Sequence, residues 1–280
     1  MSKQWKTVLS SKPKLWNVDF KEIWQYRSLV YLLFKRNYTL QYKQTILGPL
    51  WMIFSIILNS GIFTFVFGYV GKMSSDGVPY FLFCLSGNII WSLFSNCFHG
   101  NTRVLMENSY LFGKVYFPRL IVPLSNALLC LTRCMLQFVV CLVVLIVFIL
   151  RGEVAFTGFM ILGIIPLLFL ATCMGTAMGL IISAMTVKYR DFEHLTGIAM
   201  SALMYISPVL YPTSQLSPWL KRFVYLNPMS SLIEGFRYCL TGTGDLFLLG
   251  MIYSILVTVL VTVVGLLMFG RAEKNFIDIV

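Results

Sequence analysis

Charge is scarce in this sequence. Only 12% of its 280 residues are Asp, Glu, Lys or Arg, about half the share of a soluble domain. A chain this long cannot coat a water-facing surface with so little. Acids are scarcest, 11 against 22 Lys plus Arg, and none lies inside a long apolar run. That removes the buried carboxylates on which ion-coupled transport depends. The seven cysteines (Cys84, Cys97, Cys130, Cys134, Cys141, Cys173 and Cys239) include no Cys-x-x-Cys pair, so metal-site spacing is absent and buried inert thiols are the plain reading. No stretch matches Gly-x-x-x-x-Gly-Lys-Ser/Thr. The chain has no phosphate-cradling loop of its own, and any ATP that drives it must be held elsewhere. A cleavable leader is not evident either, because the first apolar run begins near Ile46 and is long enough to span a bilayer.

What the chain does have is apolar length. Hydrophobic residues make up 58% and the mean hydropathy is +0.79. A helix needs about 20 mostly apolar residues to cross a hydrocarbon core about 30 Å thick. Runs of that kind extend from Thr45 to Gly71, Val78 to Phe98, Leu120 to Leu150 (interrupted at Arg133), Val154 to Val187, Leu195 to Tyr211 and Leu246 to Gly270. They are continuously apolar rather than alternating, so helices are expected and a barrel is not. The fold class expected is an all-α integral membrane protein with six transmembrane helices. Pro166 is expected to kink one long fourth helix. Residues 1–44 form a cytoplasmic N-terminal segment, 45–270 the transmembrane domain and 271–280 a cytoplasmic tail. An even number of spans leaves both termini on one side. The Lys and Arg of the N-terminal segment, of residues 101–119, of 188–194 and of the tail place that side in the cytoplasm. A basic segment abutting a span reads as an anchor near anionic lipid, not as a nucleic-acid surface.

Two further segments are not spans. Residues Asp19 to Tyr38 are expected to form an amphipathic interfacial helix, with Asp19 and Glu22 at capping-box spacing. Phe20, Ile23, Trp24, Val30, Tyr31 and Phe34 cluster on its apolar side, and it is expected to lie along the membrane surface. Between Tyr211 and Asp245, three prolines precede the apolar-flecked stretch Met229 to Leu240. That region reads as short non-spanning helices that dip into, or rest on, the outer leaflet.

Candidate functional residues are few. Arg133 is the clear charge within a span, either contacting an anionic substrate group or snorkelling and pairing helices. Asp191, Glu193 and His194 could be drawn as a metal site, but a locally paired polar turn fits them better. Aromatics are 15% of the chain and crowd the first two spans at Trp51, Phe54, Phe63, Phe67, Tyr69, Phe81 and Trp91. Such rings can guide sugar C–H faces along a path, or can simply pack against lipid. Ala171, Gly175 and Gly179 recur every fourth residue in the fourth span, spacing that lets helices approach closely.

Several short stretches, taken in order, resemble the membrane subunits of ABC exporters for O-antigen, teichoic acid and capsular polysaccharide. They are Tyr26-Arg27, Arg36, Tyr42-Lys43-Gln44-Thr45, Leu47-Gly48 and Trp51; Gly77-Val78-Pro79-Tyr80; Lys114-Val115-Tyr116-Phe117-Pro118-Arg119; Val187-Lys188-Tyr189-Arg190-Asp191; Ser207-Pro208-Val209-Leu210-Tyr211-Pro212; Asn227-Pro228-Met229; Glu234-Gly235-Phe236-Arg237; and Phe276-Ile277-Asp278. The resemblance implies a permease that is no enzyme itself. It would sit in the cytoplasmic (inner) membrane as a homodimer on two copies of a P-loop ATPase that bind ATP and Mg, and would move a lipid-linked polysaccharide. Arg103, Glu107, Lys114, Tyr116, Tyr189, Arg190 and Asp191 would then contact the ATPase. Lys35, Arg36, Tyr42 and Lys43 would form the entrance gate, and the aromatics above with Arg133 the substrate path. Asn37 and Gln41 depart from the family pattern, which commonly has an acidic and a basic residue there. A membrane glycosyltransferase or polymerase, and an ABC exporter of a small lipid or drug, are the alternatives.

Overall fold

The computed structural model describes residues 20–43, 45–108, 110, 117–154, 162–189, 191–244 and 247–279, and every described element is helical. Two helices precede the spans, α1 (Phe20–Gln25) and α2 (Arg27–Tyr42). The first span is α3 (Leu50–Phe63), continued by a π-helical turn at Thr64–Val70. Then come α4 (Tyr80–Thr102), the short α5 (Val104–Glu107), α6 (Ile121–Leu150) and α7 (Ile164–Thr186). The chain ends with α8 (Phe192–Ile206), α9 (Pro218–Tyr225), α10 (Pro228–Thr241) and α11 (Leu248–Ile279).

Five of these are long and apolar enough to cross a membrane: Leu50–Val70, α4, α6, α7 and the Leu248–Ala272 part of α11. The expected fifth span is the exception. It stops at Ile206 because Ser207 precedes Pro208, and a residue before proline is pushed into extended backbone; Ser207 has ψ of 148°. At 15 residues, α8 is about 22 Å long, short of a full crossing. The turn that follows it, at residues 207–210, reaches the start of α4, where the Tyr80 hydroxyl donates to the Leu210 carbonyl at 2.5 Å. The expected kink at Pro166 is also corrected. That proline lies in the first turn of α7, where its missing N–H costs no helical bond.

The core is built on α4, the most enclosed span, with 78% of its apolar window buried against 17% for the first span. Helix α7 lies against it through Gly175 and Gly179. A Cβ on these residues would come within 2.5 Å of the Phe94 carbonyl oxygen and 2.6 Å of that of Phe98. On its other side α7 receives α11, where Gly265 meets the Ala177 carbonyl. The fourth-residue repeat of small side chains is thus a close-approach seam on α4, extended by Gly265.

A second, smaller apolar cluster closes one end of the bundle. It gathers Leu33 of α2, Val104 and Leu105 of α5, Phe117, Ile121 and Val122 before and in α6, Leu180 of α7 and Phe269 of α11. Helix α2 and the last helix therefore meet at the same end of the bundle.

The interfacial helix differs from expectation in four ways. It runs to Tyr42 rather than Tyr38, and it breaks at Tyr26. The side packed on protein carries Tyr26, Leu29, Val30 and Leu33, while Trp24 and Tyr31 are exposed. It also does not lie flat. Leu33 clusters with Ile121, Asn37 bonds Asn126, and Gln41 bonds Arg133. The partners advance along α6 as α2 advances, over about 18 Å, so α2 climbs beside α6. Asp19, the expected cap, lies outside the described residues.

A candidate transport path and its two ends

At the end of the bundle where α2 packs, side-chain amides tie it to its neighbours. The Asn37 amide donates to Asn126 Oδ1 (3.4 Å), and Asn126 in turn donates to the Gly100 carbonyl of α4 (2.8 Å). Arg36 grips Asn37 Oδ1 through Nε (3.2 Å) and Nη2 (3.1 Å), and reaches the Tyr110 hydroxyl with Nη1 (3.3 Å). One turn on, an Arg133 Nη donates to Gln41 Oε1. The two residues that depart from the family pattern, Asn37 and Gln41, are therefore the ones that fasten the helix here. Neutral amides take the place of the charged pair.

Beside this contact lies an open recess of about 360 Å³. Gln41, Tyr42, Thr45, Gly48, Trp51 and Ser55 line it. Burial pushes the Tyr42 phenol above its usual range, and the nearby Arg133 charge pulls it partly back. Its hydroxyl donates to the Met52 sulfur at 3.4 Å. Lys35 and Lys43 are exposed, Arg36 and Arg133 half-buried. The Arg133 Nε is sealed from solvent and has no hydrogen-bond partner among the described residues.

The residues expected to meet an ATPase divide between described and undescribed segments. Lys114, Tyr116 and Arg190 lie outside the described residues. Arg103, Glu107, Tyr189 and Asp191 are exposed. The two loops that carry them share one end of the bundle, since the Leu105 N–H donates to Ser183 Oγ near the end of α7 at 3.4 Å.

The aromatic residues split by helix. Trp51, Phe54 and Tyr69 are exposed on the first span, and Phe63, Phe67 and Phe81 are half-buried. Trp51 meets Phe54 edge-on at 5.8 Å, and Phe65 stacks on Tyr69 at 5.9 Å. Trp91 stands apart. It is buried in the core, where it lines an apolar cavity of about 320 Å³ with Phe94, Met174, Leu203 and Leu226.

The opposite end holds a feature the sequence reading missed. Arg237 of α10 is 2% exposed and Glu234 is 4% exposed, and they pair at 2.9 Å. Arg237 Nη2 donates to the Pro208 carbonyl at 2.8 Å, and the guanidinium lies 3.6 Å from the Phe83 ring centroid. This buried pair stands where Arg133 was expected to be the clear buried charge. The signal was an acid and a base three residues apart inside an apolar stretch. Prolines start α9 and α10 at positions that need no N–H, and Asn227 caps α10 by accepting from the Met229 N–H at 3.0 Å. Gly242, at φ 67°, ends α10 in the left-handed conformation. Helix α10 is mostly buried within the bundle, so its non-spanning backbone is covered by protein rather than lipid.

Among the described residues no group of three His, Cys, Asp or Glu is placed to hold a metal; the Glu193 side chain lies outside them.

Comparison with known proteins agrees with this architecture. The family described as "ABC-2 type transporter" matches residues 28–241. A protein named O-antigen export system permease protein RfbA, from Klebsiella pneumoniae, is 24% identical over 253 residues, covering 90% of this chain and 94% of its own. One of the same name from Myxococcus xanthus is 26% identical over 219 residues, covering 78% and 82%. With five apolar spans and a family match over most of its length, the chain is a multi-pass membrane protein that belongs to the ABC-2 type transporter family.

Proposed function

We propose that this chain is the membrane subunit of an ATP-driven exporter that moves a lipid-linked polysaccharide, of the O-antigen kind, across the cytoplasmic membrane. The observation that carries the reading is the likeness to permeases named for O-antigen export, which runs along 90% of the chain. It works as a homodimer on two copies of a cytoplasmic P-loop ATPase, which hold the ATP and Mg. Both termini face the cytoplasm, and the permease makes and breaks no covalent bond. The loops at Arg103–Glu107 and Tyr189–Asp191, together with Lys114, Tyr116 and Arg190, receive the ATPase. Lipid-linked cargo enters beside α2, drawn by Lys35, Arg36 and Lys43 next to Tyr42. The glycan passes the rings of the first two spans. The exposed rings Trp51, Phe54 and Tyr69 suit this, because a second copy has to supply the other wall of any path along such an uncovered face.

The test is to purify the tagged chain gently from its native cell, identify its companions by mass spectrometry and weigh the complex intact. A two-to-two assembly with a P-loop ATPase is expected. A chain that purifies without any ATPase under several detergents would sink the mechanism.

A further inference from the structure

We propose that Arg133 binds the phosphate of a lipid headgroup, and that Gln41 occupies its guanidinium only until that headgroup arrives. The inference rests on the reading above that the cargo is lipid-linked, and it assigns the residue that senses it.

Arg133 has spare capacity. Its bond to Gln41 goes to a neutral amide, its other neighbour there is the Tyr42 hydroxyl, and its Nε is buried with no partner among the described residues. Buried donors are nearly always satisfied in folded proteins, so an open one beside Gln41, which itself lines the recess, points to an absent acceptor. Phosphate oxygens fit the guanidinium fork two at a time, and charge-assisted bonds are roughly twice as strong as neutral ones. A phosphate therefore outcompetes the Gln41 amide. The other basic residues of α2 serve less well. Arg36 already gives its donors to Asn37 and Tyr110, and Lys35 and Lys43 stand in the open. Those lysines attract, while Arg133 holds.

The walls define the rest of the ligand. The Tyr42 hydroxyl is given to a sulfur, a weak acceptor, and is free to turn to a better one. Trp51 closes one side of the recess. Ile46, Leu47, Leu50 and Trp51, in the segment that supplies Thr45, Gly48 and Trp51 to the lining, are all exposed, which suits a hydrocarbon tail next to the headgroup. A soluble phosphate would leave those apolar side chains unused. Binding also has a mechanical consequence. Gln41 lies at the last turn of α2, and losing its hold on Arg133 frees that end while the Asn37–Asn126 tie stays. Arrival of the lipid thus loosens the entrance helix.

The experiment is native mass spectrometry of the purified full-length chain in detergent. Titrate it with farnesyl diphosphate, farnesol and inorganic diphosphate. Farnesyl diphosphate is expected to bind at least tenfold more tightly than the other two. Arg133→Gln should weaken it tenfold or more, with Arg133→Lys in between, and Arg151→Gln at the far end of the same helix should leave it unchanged. Gln41→Ala should tighten it several-fold, because the competing amide is gone. Unchanged binding in Arg133→Gln, or Gln41→Ala weakening it, overturns the proposal. So does equal binding of inorganic diphosphate or of farnesol, since each removes a part of the stated chemistry. If Arg133→Gln does not fold, the exposed Gln41 decides by the same criterion. Failure here is separable from failure of the export reading. A chain that exports glycan in cells but ignores farnesyl diphosphate loses this site and keeps its function, and one that binds it through Arg133 yet recruits no ATPase does the reverse.

Discussion

Arg237 is accommodated at 2% exposure by three neighbours: the Glu234 carboxylate, the Pro208 carbonyl and the face of Phe83. Removing one member of a buried ion pair typically costs about 3–5 kcal/mol, because the other is left uncompensated. Glu234→Gln or Arg237→Met is therefore expected to lower the thermal midpoint of the purified protein, followed by tryptophan fluorescence. Glu234→Leu combined with Arg237→Met should recover much of the loss, since replacing both partners with apolar side chains is often neutral. A double variant no better than either single one would show that the tie to Pro208, rather than the pair, holds the site. The Glu-x-x-Arg spacing was visible in the sequence. Its burial was not, because Phe83 and Pro208 come from distant parts of the chain and meet only in the fold.

Helix packing is sharpest along the seam between α4 and α7. A Cβ at Gly179 would stand 2.6 Å from the Phe98 carbonyl oxygen and 2.8 Å from the Asn101 Cβ. Gly179→Leu should push the two helices apart and abolish a monodisperse peak in size-exclusion chromatography. Gly197→Leu on α8, where nothing lies within 4 Å, should not. The repeat of Ala171, Gly175 and Gly179 made this seam legible in the sequence. Span positions were legible for the same reason, since twenty apolar residues admit few other fates in lipid. What failed to show was where short elements stop. Ser207-Pro208 was read as family pattern rather than as the stop that leaves α8 at 15 residues. Pro166 was weighed as a kink although a helix beginning at Ile164 absorbs it. The climb of α2 beside α6 depends on Asn126 and Arg133, two polar residues whose partners an isolated helix cannot reveal.

For the whole molecule, the contrast between an enclosed α4 and a bare first span is the main feature. With 17% of its apolar window buried, the first span gains little from its own chain, and its face is left to lipid or a second copy. Phe54→Ala with Tyr69→Ala should change stability by no more than about 0.5 kcal/mol, as exposed positions do. On the proposed function it should still slow glycan export several-fold, measured as cell-surface polysaccharide after induction. Normal export from the double variant would remove these rings from the path.

The last helix continues past the apolar stretch that ends at Ala272 to Ile279, seven more residues or about 10 Å of rod. A rod transmits torque, where a loose tether would transmit only tension. Its azimuth is also fixed by residue count, about 100° per position. One alanine added after Ala272 would swing everything beyond it to a different compass bearing, whereas seven would carry it nearly two full turns and almost restore the original heading.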